Sequence, residues 1–256
     1  MAYSPEYQNT NTAGTAASQV LDAGLRAYML RVFNWMASGL LVTGIVSYGI
    51  ANTELMNLFY PQVMTASGRI ARSPTILAMA AMFAPLAFVL VMSFGVNKLS
   101  RTSVQTLYWA FCATMGASLT NIFVIYTGAS IVSVFFITAG TFAVMSAWGY
   151  STNRDLSRMG SFLMMGLIGI LIASLVNIFL GSTMMQFLIS IIGVVVFTGL
   201  TAYDTQRIKA DYVEYAYGVG TDEAGKRSAY DALSLYLNFI NLFTLLLSLL
   251  GTRNKD

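Results

Sequence analysis

Charged residues cut the chain into long uncharged stretches, and the lengths of those stretches predict its architecture. Five stand out: Val32–Thr53 with 22 residues, Ser73–Asn97 with 25, Thr102–Asn153 with 52, Met159–Tyr203 with 45 and Ala232–Thr252 with 21. A helix that crosses a bilayer needs about 20 apolar residues. The stretches of 22, 25 and 21 residues therefore hold one crossing each. Those of 52 and 45 residues are too long for one. Each has a polar, glycine-containing break near its middle, Tyr126-Thr127-Gly128-Ala129-Ser130 in the first and Gly181-Ser182-Thr183 in the second. Each is expected to fold as a tight helical hairpin. The sum is seven helices, over about residues 32–51, 75–96, 104–125, 130–150, 160–180, 184–204 and 231–250. Lipid offers backbone groups no partners, and these segments are too long and uniformly apolar for barrel strands. The fold class is therefore all-α integral membrane protein. Residues 55–68 are uncharged, too short to span, and interrupted by Pro61. They are expected to form a loop dipping into the interface.

Composition agrees with this pattern. Apolar residues make up 56% of the 256 positions and charged residues 10%, with a mean hydropathy of +0.65. An ordinary soluble domain carries about 25% charged residues. These values exclude a soluble enzyme, a disordered chain and a nucleic-acid module with a basic face. The absence of histidine removes Ser–His and Cys–His nucleophiles and histidine-ligated zinc. Any pH response near neutrality then has to come from carboxylates. The single cysteine, Cys112, can form no intrachain disulfide and reads as a packing residue. No cofactor is indicated, and the chain does not read as an enzyme.

The basic residues orient the helices. Arg26, Arg31, Lys98, Arg101, Arg154, Arg158, Arg207, Lys209, Lys226 and Arg227 fall on the side of the N-terminus, and Arg69, Arg72, Arg253 and Lys255 on the other. Ten against four puts the N-terminus in the cytoplasm and the C-terminus outside. Residues 1–25 are polar and lack the apolar core of a cleaved signal. They are expected to form a flexible cytoplasmic tail before a single seven-helix domain over residues 26–256. Small residues at four-residue spacing, Ala139, Ala143 and Ala147 in the fourth span and Gly169 with Ala173 in the fifth, offer close-packing ridges. Pro85, alone in mid-helix, is expected to kink the second span.

A polar residue inside a membrane helix is costly and is a functional candidate by default. In the last span Asp231, Ser234, Asn238, Asn241 and Ser248 fall at steps of 3, 4, 3 and 7. That spacing puts them on one face of a Leu- and Phe-rich helix. Such a stripe should face inward, either as interhelical hydrogen bonds or as the lining of a water-filled path. Asp204 is the second candidate. It ends the 45-residue uncharged run near the cytoplasmic end of the sixth span, and Arg207 lies three residues on, at ion-pair spacing.

Ala202-Tyr203-Asp204-Thr205-Gln206-Arg207-Ile208-Lys209 resembles the sixth-helix signature of the Bax inhibitor family of transmembrane proteins. Ala232-Leu233-Ser234-Leu235-Tyr236-Leu237-Asn238-Phe239-Ile240-Asn241-Leu242-Phe243 resembles that family's seventh-helix signature. The resemblance runs from about residue 20 to residue 251 and points to bacterial inner-membrane members. It implies six helices wrapped around a central seventh. It also implies a pH-sensitive calcium leak controlled by two facing aspartates, one in each of the last two helices. Two carboxylates in a low-dielectric site cannot both ionise freely. A shared proton closes the pair, and its loss frees a site for a hard cation that prefers oxygen ligands.

The chain departs from that pattern at one position. Asp204 matches the helix-six aspartate and is the candidate calcium and proton site, but the helix-seven position holds Asn238. The gate then has one titrating group, and Asp231 or Asp211 would have to supply a second carboxylate. The family's basic gating residue near the end of helix two has no clear match at Lys98. The resemblance implies an alternative too: an interaction protein that restrains a membrane-bound AAA protease. Other seven-helix classes fit less well. A retinal protein needs a lysine in the last helix, and residues 232–252 hold none. An aspartyl intramembrane protease needs two membrane aspartates, and only Asp204 qualifies clearly.

Overall fold

The computed structural model describes residues 6–64, 70–96, 98–215 and 221–254. Each long uncharged run is helical in it. The elements in chain order are α1 (Glu6–Ala51), α2 (Leu55–Phe59), β1 (Gln62–Met64), β2 (Ile70–Arg72), α3 (Ile76–Gly95), α4 (Arg101–Leu119), α5 (Ile122–Ile125), α6 (Gly128–Ser151), α7 (Ser157–Leu180), α8 (Thr183–Tyr215) and α9 (Thr221–Leu250). Seven of these helices, α1, α3, α4, α6, α7, α8 and α9, are long and apolar enough to cross a membrane.

Both expected breaks fall where the sequence marks them. Thr127 precedes α6 and its side chain accepts the Ser130 N–H, satisfying one of the helix's free donors. Thr75 and Ser100 do the same for α3 and α4. Gly181 ends α7 with φ of 61°, the left-handed conformation that only glycine adopts cheaply. Asn177 secures this turn: its Oδ1 accepts the Ser182 N–H at 3.0 Å and its carbonyl accepts the Gly181 N–H at 2.8 Å. Nothing lies within 4 Å of a Cβ built on Gly181, so space is not the constraint there. Gly181→Ala is expected to cost about 1 kcal/mol through backbone conformation alone. A titration of unfolding in mixed micelles measures it; no loss would mean the turn relaxes freely.

Three expectations are corrected. Residues 55–64 and 70–72 form the short helix α2 and an antiparallel β1–β2 pair, with Gln62 opposite Arg72, rather than a plain loop. Arg72 ties the two together by donating to the Tyr60 carbonyl at 2.8 Å. Residues 6–25 continue helix α1, although threonine, asparagine and glycine, all weak helix formers, recur in the segment. The small-residue ridges pack only in part: Ala139 and Ala173 lie half-buried against the core, whereas Ala143, Ala147 and Gly169 are exposed. In α6 the buried face is instead Ile131, Val134, Thr138, Phe142, Ser146 and Gly149. Four-residue spacing recurs on several faces of a helix this rich in small residues, so it does not select one. Pro85 lies buried inside a continuous α3. Residues 1–5 of the expected tail, 65–68 of the expected loop, and Arg69, Asn97 and Lys255 lie outside the described residues.

The seventh span is central. In α9, 56% of the most apolar window is buried, against 33% or less in every other span. Helices α1, α4, α6 and α8 pack on it directly, while α3 stands against α4 and α7 against α8. Between α1, α4 and α9 the fully buried Tyr108, Phe111, Cys112 and Tyr236 fill the core. Thr43 Oγ1 meets the Tyr236 hydroxyl at 2.6 Å and donates to the Cys112 carbonyl at 2.8 Å. Thr138, Thr201 and Thr205 return their hydroxyl protons to the carbonyl four residues back. That is how an apolar interior tolerates them.

Candidate functional site

The two sequence signatures meet where α8 crosses α9. Asp204 is 7% exposed, and both of its carboxylate oxygens are engaged. Asn238 Nδ2 donates to Oδ2 at 2.7 Å. An asparagine that faces a carboxylate must present its amide nitrogen, because its oxygen has no proton to offer. Ser234 Oγ donates to the same Oδ2 at 3.4 Å. Arg207 Nη2 lies 3.1 Å from Oδ1 and donates to Ser234 Oγ at 3.3 Å. The ion pair anticipated from the three-residue spacing is thus made, and its basic member is Arg207.

The polar stripe on α9 does not serve one purpose. Ser234 and Asn238 join Asp204. Asp231, one turn earlier, accepts the Tyr28 hydroxyl of α1 at 2.5 Å. Asn241 donates to the Leu237 carbonyl of its own helix at 2.9 Å. Ser248 accepts the Ser190 hydroxyl of α8 at 3.3 Å. Among the described residues the partners of Asp204 are Asn238, Ser234 and Arg207, not Asp231 or Asp211; both of these acids lie toward the charged end of the same helix pair, where their charges act on one another.

The rest of the α8 signature holds Asp204 in place, which its sequence alone does not disclose. Ala202 touches the backbone face of α6 at Gly149, and Tyr203 lies over Gly160 of α7. Gln206 clamps the α6–α7 connection: its Oε1 accepts the Leu156 N–H at 2.8 Å and its Nε2 donates to the Arg154 carbonyl at 2.8 Å. Lys209 Nζ donates to the Tyr150 carbonyl at 2.9 Å and sits 5.0 Å from that ring's centre. Successive residues of one helix thus bind three different neighbours. In the clamped connection the Ser157 hydroxyl and N–H hold the exposed Asp155 carboxyl below the usual carboxylate range.

Chemically, the cluster offers one carboxylate, one hydroxyl and one amide. A calcium ion takes six to eight oxygen ligands, so the protein supplies fewer than a resident site requires. Among the described residues no group of three or more His, Cys, Asp or Glu gathers to hold a metal.

Seven membrane helices around a buried carboxylate at the crossing of the last two define a class of multi-pass membrane protein rather than a soluble or single-span one. Comparison with known proteins narrows the class. Residues 25–255 match the family described as inhibitor of apoptosis-promoting Bax1, and the chain belongs to that family. It is 43% identical over 249 residues to an uncharacterised protein of Rickettsia prowazekii, covering 97% of this chain and 98% of that one. It is 43% identical over 232 residues to the inner membrane protein YbhL of Escherichia coli strain K12, covering 90% and 94%. A protein of Caulobacter vibrioides is 44% identical over 239 residues, covering 92% of each.

Proposed function

We propose that this protein is a pH-sensitive calcium leak of the bacterial inner membrane, gated at its cytoplasmic end by Asp204 and Asn238. One observation carries the reading: a carboxylate is buried at the crossing of the central helix with its longest-packed neighbour, and its other partners are a base, an amide and a hydroxyl. Asp204 stands about 21 residues into α8. That is roughly 32 Å of helical rise, about the thickness of the hydrocarbon core. The carboxylate therefore lies at the end of the apolar layer, beside Arg207 and Lys209. With the N-terminus inside, as the basic residues suggest, that end is cytoplasmic.

The ionised carboxylate attracts a hard cation as it sheds part of its water, and the Asn238 amide turns to offer its oxygen. A proton on Asp204 removes the charge and the attraction. The leak therefore rises with pH. The groups that face Asp204 are Arg207 from its own helix and Ser234 and Asn238 from α9, and of the four only Asp204 is a carboxylate, whose charge a proton removes.

Asn238→Asp tests the gate. The variant sets a second carboxylate against the first, and two such groups in contact share a proton rather than both ionise. Calcium entry into dye-loaded proteoliposomes is expected to depend more steeply on pH between about pH 6 and 8, with the ratio of the two rates rising by about threefold or more. An unchanged profile overturns the gate assignment. Absence of entry with either protein turns the function to restraint of a membrane-bound AAA protease, which a pull-down from solubilised membranes tests directly.

A further inference from the structure

Arg207 is placed oddly for a structural ion pair. Its Nη2 holds Asp204 and Ser234, yet its buried Nε has no hydrogen-bond partner. The side chain is 39% exposed, so it has room on its outer side. A buried donor without a partner is a cost the site could shed by moving the guanidinium. The direction open to it is along α9. Ser234, which it already touches, and Asp231 share one face of that helix at a spacing of three residues, or about 4.5 Å of rise. The charge of Arg207 already acts on Asp231.

Asp231 is set up to receive a cation. One of its oxygens takes the Tyr28 hydroxyl of α1. The other groups whose charges reach it are Asp211 from α8 and Arg227 from α9. Two carboxylates thus share this end of the helix pair with Arg227. In the arrangement described, Arg207 covers Oδ1 of Asp204 and the α9 side chains cover Oδ2. A permeating cation can reach the carboxylate only after the guanidinium leaves it.

We propose that Arg207 is a tethered counter-ion that closes the Asp204 site and that Asp231 is the carboxylate that takes it over when the site opens. Arg207 and Asp231 are then positioning residues for the leak. Asp231 supplies the second carboxylate that position 238 lacks, acting on the arginine rather than on the ion. The inference rests on the leak proposed above and deepens it.

A double-mutant cycle on calcium entry into proteoliposomes tests it. Arg207→Gln uncovers the carboxylate and is expected to raise entry by about tenfold and lower the half-saturating calcium concentration in the same proportion. Asp231→Asn leaves the guanidinium no second partner and is expected to lower entry by a similar factor. Asp231→Glu restores it. The decisive protein is Arg207→Gln with Asp231→Asn: with no arginine to receive, the Asp231 change becomes silent, and entry matches that of Arg207→Gln alone. If instead the two effects multiply, or if Asp231→Glu fails to rescue a monodisperse protein, the exchange is overturned while the leak stands. Arg207→Lys keeps the charge and is expected to stay within about threefold of the natural protein, so a loss confined to poor folding of Arg207→Gln is recognised. Absence of entry in the natural protein and in all variants overturns the leak and this inference together. A pH profile that flattens in Asp204→Asn while Arg207→Gln changes nothing overturns the inference alone.

Discussion

Proteoliposomes carrying Asp204→Asn are expected to admit calcium at a rate that no longer changes between about pH 6 and pH 8. The rate itself is expected to fall by about tenfold or more relative to the natural protein at the upper end of that range. The reason lies in what surrounds the residue. Asn238 and Ser234 do not titrate, and Arg207 stays charged throughout. Asp204 is therefore the one member of the cluster whose charge a proton can remove. An asparagine there has the same shape and fills the same space, so the comparison isolates charge. An amide at 204 can still pair with the amide at 238, donor to acceptor, and the crossing of α8 and α9 persists.

The stability change should accordingly be modest. Losing the charge weakens the short bond from Asn238 and removes the ionic part of the contact with a partly exposed Arg207. Pairs of that exposure contribute about 0–1 kcal/mol, and a hydrogen bond to a charged group exceeds a neutral one by about 1 kcal/mol. A loss of about 1–2 kcal/mol in a micelle unfolding titration is expected. The separation of the two readouts is the test. A pH profile that persists in a well-folded Asp204→Asn protein assigns the titration to another group and removes Asp204 from the gate.

What the sequence discloses differs between the helices and the contacts. The seven spans are legible because each leaves a run of apolar residues that only a helix can carry through lipid. The ends of the last two are not. Asp204, Arg207, Lys209 and Asp211 break the hydropathy of the sixth run, but they are compatible with helix, and α8 continues to Tyr215. Lys226 and Arg227 likewise belong to α9, which begins at Thr221. The β1–β2 pair spans three residues on each side, too few for an alternating pattern to emerge. In the site, the spacing of Asp231, Ser234 and Asn238 reveals a common face, but a face has no address: partners on α1 and α8 divide it. Tyr28 gives no signal of its role, since one tyrosine near the start of a span resembles any interfacial aromatic.

The same difference between pattern and address makes Gly149 a sensitive packing position. Gly149→Val is expected to prevent assembly of the native fold, whereas Gly140→Val on the same helix is expected to be nearly silent. A Cβ on Gly140 meets nothing within 4 Å, and the residue is exposed. A Cβ on Gly149 runs into the carbonyl oxygen of Ala202, and its other near neighbours are also backbone atoms of that residue. Backbone in mid-helix has no rotamer by which to give way, so α8 would have to move as a body. Overpacking of this kind costs about 1–3 kcal/mol where side chains can adjust, and more where they cannot. Ala202 is two residues before Asp204, so the displacement falls directly on the carboxylate and its bond to Asn238. Glycine at 149 is therefore a condition of the site as well as of the packing: it brings α6 close enough to press α8 onto the central helix. Size-exclusion profiles and melting of the two valine variants, purified side by side, decide the matter. Equal behaviour of Gly149→Val and Gly140→Val would mean that the α6–α8 approach is loose, and that Asp204 is positioned by α9 alone.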